Sequence, residues 1–423
     1  EIVMSEKDGA FVLDPTLPND RTSLSDSQGH AYFRGKHVLD AIGNARLGYD
    51  KVNGVPVTGW ECSFLGCSPD LSHVELDNSL MSHQTWRNYT SYMEAEMAIL
   101  QDLGYTIDRK RYFGHSVYES GIVWESTHGY SARTADGTGW LENVYNDDAY
   151  GMGLHVYGDD NTLTQRHDIL SSGVAAMGVR IDGQRNTLTI TPGTRVHAIG
   201  DWSAGLTVAY GKGHHIIHQG DIAATGAGGI GIQLDFGDNV MGNTDEYRGS
   251  YMLTRGSDYR IIPVSADDPV LAYYKLDGPL VDTLDISGRV SGSLAAIKIA
   301  ENAYVKTINI MRGADIKGDI VSEWNPDNEK LLADFKGQFY TGLNFGLAPK
   351  ADGTSSGNAD TSFSLNYDGN ISGAKSLDVT LHGGLLTLNG LSNVRSFDNR
   401  ANLVLTALPE ANGSGISRST FNN

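Results

Sequence analysis

Four short segments in the middle of the chain share one alternation of apolar and polar residues: Gly153-Leu-His-Val, Gly178-Val-Arg-Ile, Gly205-Leu-Thr-Val and Gly231-Ile-Gln-Leu. Their glycines lie 25, 27 and 26 residues apart. After the first two glycines a second element follows at the same offset, Asn161-Thr-Leu and Asn186-Thr-Leu. A third short apolar run then leads into the next repeat, as in Arg195-Val-His-Ala-Ile and Gly220-Asp-Ile-Ala-Ala. Three short strands per repeat of roughly 25 residues make one coil of a parallel β-helix, each strand stacking on its equivalent about 4.8 Å away. Period-two alternation sends Leu154 and Val156 inward and His155 outward. The next two coils place Val179 and Ile181, then Leu206 and Val208, inward, with Arg180 and Thr207 outside. The pattern predicts a mainly β fold, a right-handed single-stranded parallel β-helix with three short strands per coil.

The pattern returns with looser spacing as far as Gly384-Leu-Leu-Thr-Leu, interrupted by insertions near 236–280 and 322–340. Residues 1–118 read differently. Between Asn88 and Gly104, apolar residues recur at a spacing of three and four, which predicts an amphipathic helix stopped by Gly104. Asn88 or Thr90 is the expected cap of its start. The chain thus divides into a small α+β cap domain over 1–118, a connecting segment over 119–150 and the β-helix over 151–423. Open strand edges need covering, and the N-terminal domain is the expected cover of the rod's first end.

Composition narrows the classes. Glycine makes up 51 of 423 residues, about 12% against a usual ~7%, without a collagen period. The net charge of −19 repels phosphate backbones and excludes nucleic acid as an expected partner. No run of apolar residues is long enough for a membrane-spanning helix. The chain opens at Glu1 without a leader, as a processed chain would. Cys62 and Cys67 are the only cysteines, and a small-loop disulfide between them would imply an oxidising compartment.

Runs such as Asp285-Ile-Ser-Gly-Arg-Val-Ser-Gly, Gly313-Ala-Asp-Ile-Lys-Gly-Asp-Ile and Phe363-Ser-Leu-Asn-Tyr-Asp-Gly-Asn-Ile-Ser-Gly resemble the passenger domains of bacterial autotransporters. The resemblance covers roughly 145–423. It implies export through a C-terminal membrane β-barrel outside this chain, and display at the surface of a Gram-negative cell or release from it. Adhesion to a host glycan or protein, or self-association between rods, is the implied role.

A second resemblance lies before the predicted helix. Ser72-His73, then Leu80-Met81-Ser82, then a helix ending in Leu100-Gln-Asp-Leu-Gly-Tyr105 resemble the C-terminal half of a metzincin zinc peptidase of the leishmanolysin-like kind. It implies His73 as a third zinc ligand and Met81 in a methionine turn, with Gly35-Lys-His-Val-Leu in an irregular inserted segment. Zinc hydrolysis needs three protein ligands and a general base, and no H-E-x-x-H occurs in these 423 residues. Either that helix lies upstream of Glu1, giving a secreted zinc peptidase, or the domain works as a folded cap. No catalytic residue is assigned in this chain, and zinc is a cofactor only under the peptidase reading. The acidic pairs Asp147-Asp148 and Asp159-Asp160 are of the kind glycoside hydrolysis needs, but the turn positions they occupy favour Asp for local backbone hydrogen bonding, and that reading is preferred. Strand geometry sends His214 and His215 to opposite faces. Tyr247, Tyr251, Tyr259, Tyr273 and Tyr274 cluster in the longest insertion, as a contact surface or as that insertion's own core.

Overall fold

In the computed structural model the described residues are 2–4, 6–7, 10–11, 30–48, 51–58, 60–63, 66–69, 72–76, 78–82, 89, 91–237, 278–329, 331, 335–406, 408–409 and 416–417. The chain is mainly β, with long parallel sheets compatible with a β-helix or solenoid. Each strand of the repeat region pairs with its equivalent in the next repeat, producing three parallel ladders. The first runs through Phe113–Val117, Met152–Val156, Met177–Ile181, Ala204–Val208, Ile230–Leu234, Ala295–Ile299 and Ile320–Ser322. The second runs through Val123–Glu125, Thr162–Gln165, Thr187–Ile190, His214–His218, Val281–Ile286, Val305–Met311 and Thr341–Pro349. The third holds Ile169–Ser171, Arg195–Ala198, Asp221–Ala224, Arg289–Gly292 and Asp315–Lys317. The eleven-residue strand Ile371–Leu381 then pairs with the last strands of both the first and second ladders.

The register is the one the alternation predicts. Leu154, Val179, Leu206, Ile232 and Ile297 occupy one stacked row, and all are buried. Leu163, Leu188, Ile216, Leu284, Ile308 and Leu343 form a second buried row, and Ile169, Val196, Ile222, Val290 and Ile316 a third. Each such side chain contributes about 1.5–3 kcal/mol by leaving water. The repeating glycines answer to this packing. A Cβ at Gly153 would fall 2.3 Å from the Ile169 side chain, one at Gly178 2.7 Å from Val196 and one at Gly205 2.4 Å from Ile222. The third ladder therefore fills the space over each glycine. Asn161 and Asn186 stack at the corner between the first and second ladders, the Asn161 N–H donating to Asn186 Oδ1 at 3.0 Å. His214 continues that corner, its Nδ1 accepting from the Asn186 N–H at 3.1 Å.

The ladders begin at Phe113, inside the stretches read as cap and connecting segment. The first rung is closed by aromatic rings: His115 stacks on Trp124 with centroids 4.8 Å apart, and His128 stacks on Trp140 at 4.4 Å. His115 pairs in register with Leu154, and Trp124 with Leu163, so both occupy core positions at the end of the stack. Burial holds the His115 imidazole down to about 4, so it plugs the core as a neutral ring.

The N-terminal region holds two helices, α1 (Lys36–Ile42) and α2 (Glu94–Asp102), and an antiparallel sheet of Ile2–Met4, His30–Phe33 and Val55–Thr58. α1 lies where an irregular segment was expected. The Asp102 carboxylate at the end of α2 accepts from the His37 and Val38 N–H groups, both at 2.9 Å, and so caps α1. α2 starts at Glu94, later than Asn88 or Thr90, because Tyr89 and Ser91 contact the rod instead. Gly104 stops it as predicted, with φ of +98°. Glu96 secures its start, accepting from the Met93 N–H at 2.7 Å.

Candidate functional site

The first four residues of the first ladder's outward row, Ser116, His155, Arg180 and Thr207, are buried, while Gln233 and Lys298, which continue it, are partly exposed. This corrects the expectation of solvent-facing residues here. The N-terminal region lies along this side wall, where it was expected to cover the end. Arg180 donates to Ser91 Oγ at 2.9 Å and to the Asn78 carbonyl at 3.3 Å, and its guanidinium sits over the Tyr89 ring at 4.8 Å. Tyr89 in turn donates to the Asp235 carbonyl. Asp182 accepts two bonds from Arg180, at 2.8 and 3.2 Å, and pairs with His155 Nε2 at 2.9 Å. Burial alone would raise the Asp182 carboxyl, but Arg180 and His155 together hold it at about 2. Burial lowers His155, whose Nδ1 has no hydrogen-bond partner among the described residues. The cluster is buried and joins the N-terminal region to the first ladder.

A second buried set ties the N-terminal region together. Arg109 donates to Glu94 at 2.8 Å, to Gln101 at 2.8 Å and to Asp40, and Lys110 reaches Glu94 at 2.7 Å. Burial would raise Glu94, but the two cations reverse this and lower it.

His73 and Met81 flank the neck of one loop, where the Val74 N–H donates to the Met81 carbonyl at 3.1 Å. The Met81 N–H donates to Glu96, which anchors the loop to α2. His73 Nδ1 lies 2.6 Å from Ser72 Oγ. Among the described residues no group of three His, Cys, Asp or Glu side chains could hold a metal. Among the described residues, the three protein ligands that zinc needs are not brought together around His73. Backbone pairing sets Cys62 directly across a hairpin from Cys67. Tyr247, Tyr251, Tyr259, Tyr273 and Tyr274 lie outside the described residues.

The acidic pairs are divided among turn contacts. Asp148 is gripped by Arg111 at 2.6 and 2.9 Å, Asp160 by Arg185 at 2.6 and 2.8 Å, and Asp159 accepts the Gln184 N–H at 2.8 Å. His214 and His218 are buried and bonded to the carbonyls of Tyr210 and Arg289, while His215 points the other way to Thr283 Oγ1.

One accessible surface carries a regular charge pattern that the sequence reading missed. On the third ladder, Arg195 pairs in register with Asp221, Asp221 with Arg289, and Arg289 with Asp315. Asp168, just before the first strand, accepts from Arg195 Nε at 2.8 Å. The column therefore reads minus, plus, minus, plus, minus at one charge per rung. These side chains are about one-third to one-half exposed.

Searches of known protein families, curated proteins and solved structures returned no match.

Proposed function

We propose that this chain is a right-handed parallel β-helix of the autotransporter passenger kind, exported to the surface of a Gram-negative cell, whose rods associate with one another side by side. The coil reading rests on three parallel ladders in one register. The N-terminal α+β region acts as a lateral brace. The sign-alternating column Asp168, Arg195, Asp221, Arg289 and Asp315 is the observation that favours self-association.

Such a column is self-complementary. Two rods meeting antiparallel in register would set like charges against like, whereas a slip of one rung sets four of the five charges on each rod against an opposite charge. A single exposed pair contributes about 0–1 kcal/mol, so adhesion needs several pairs engaged along a rod. Screening follows directly, because the Debye length shrinks to about 3 Å at 1 M salt.

Static light scattering of the purified chain tests this. Association is expected at low salt, reversal in 1 M salt, and loss in the double variant Arg195→Asp/Arg289→Asp. Association that is indifferent to salt and to the double variant would overturn the proposal.

A further inference from the structure

The corner leading into the first ladder carries an unusual pair of residues. Tyr150, Ala175, Trp202 and Gly228 precede Met152, Met177, Ala204 and Ile230 by the same two positions, and those four are register partners. All four corner residues have left-handed backbone, with φ of 62°, 54°, 58° and 72°. Glycine is the residue this conformation suits, and only the last position has it. Tyrosine, alanine and tryptophan occupy the other three at an energetic cost, and the two aromatic residues are exposed, at 63% and 72%. Large rings held strained and in water point to a use outside the fold.

The corner is rigid. The Tyr150 N–H donates to the Val174 carbonyl at 2.8 Å, the Ala175 N–H to the Asp201 carbonyl at 2.8 Å, and the Trp202 N–H to the Ala227 carbonyl at 2.7 Å. Trp202 rests on Gly228, where a Cβ would fall 2.5 Å from the ring. Two rungs separate the aromatics, about 10 Å along the rod, with only the methyl of Ala175 between them. That distance is roughly the length of two sugar units in an extended chain.

We propose that this corner binds an uncharged, extended β-linked glycan, its sugar faces stacked on Tyr150 and Trp202. Flat C–H faces of a pyranose cover an aromatic ring without desolvating a charge, and both rings are rigid anchors. Exposed Asp147 and Asp201, close in sequence to the rings, offer acceptor oxygens to sugar hydroxyls. The same carboxylates, with the net charge of −19, disfavour sulfated or uronic chains. The site is separate from the charge column and does not depend on rod association.

Calorimetric titration of the full chain with β-1,4-linked hexasaccharides of glucose and of N-acetylglucosamine tests the site, with a heparin hexasaccharide as control. At least one neutral hexasaccharide should bind, and its disaccharide, too short to span both rings, should bind at least about tenfold more weakly. Trp202→Ala and Tyr150→Ala should each weaken the hexasaccharide about tenfold. Trp202→Gly should weaken binding to the same extent as Trp202→Ala while leaving the melting temperature unchanged or raised, since glycine relieves the strained backbone. Arg195→Asp/Arg289→Asp should bind the glycan like the parent, which separates this site from rod association. Failure of both neutral hexasaccharides to bind, binding untouched by both aromatic variants, or preference for heparin would overturn the proposal.

Discussion

At the residue scale, small and charged side chains in the repeat are placed by what stands across the core from them. Gly178 has Val196 Cγ1 and the Gly205 carbonyl within 2.7 Å of where a Cβ would sit. Gly178→Val should therefore destabilise the rod by about 1–3 kcal/mol or more, the usual cost of overpacking, read as a lower denaturant midpoint. An unchanged midpoint would show that the ladders can spread. Arg180→Ala should cost about 3–5 kcal/mol because it leaves Asp182 buried without its main partner. Removing both charges in Arg180→Met/Asp182→Leu should recover much of that loss, and equal losses in single and double variants would contradict the pairing. The glycines and inward apolar residues were legible in the sequence because strand periodicity alone sets them. Burial of His155, Arg180 and Thr207 was not, since a strand's alternation says which residues leave the core and not what covers them. The aromatic pair Tyr150 and Trp202 carried a signal that went unread: each lies three residues before a repeat glycine, Gly153 or Gly205.

At the element scale, the ladders are held by buried neutral imidazoles as well as by aliphatic rows. His214 and His218 are each held down to about 4 by burial, as is His115, and His155 is lowered in the same way. An unfolded imidazole takes its proton near 6.5. Their contribution is thus fully present above about pH 6.5 and is lost as pH falls towards 4. Asp182, at about 2 against an ordinary 3.8, extends the loss below that. Melting temperature should hold between about pH 7.5 and 6.5 and fall from there towards pH 4, and a flat profile over that range would contradict these buried neutral rings. α2 shows how tertiary contact overrides a helical pattern. The periodicity from Asn88 was real, but Tyr89 and Ser91 are spent on Arg180 and Asp235, so the helix waits until Glu94. α1 was hidden because it is only seven residues long and draws its cap from Asp102, 65 positions away from His37.

At the scale of the whole molecule, the ladders form a long side wall with two different surfaces. The N-terminal region covers the first ladder's outer row around His155 and Arg180, and the third ladder leaves its charge column partly exposed. Cys62 and Cys67, opposite one another in their hairpin, are expected to be joined if the chain is exported as proposed. Peptide mass mapping without reductant should find them linked, and two alkylated thiols would contradict oxidising export. The column itself gives the most direct test of rod association. Cells displaying Arg195→Asp/Arg289→Asp carry an all-negative column, and cells displaying Asp168→Arg/Asp221→Arg/Asp315→Arg carry an all-positive one. Each population alone should stay dispersed, and their mixture should clump at low salt and disperse in 1 M salt. Clumping by either population alone, or a mixture that stays dispersed while both variants remain folded and displayed, would contradict association through this face.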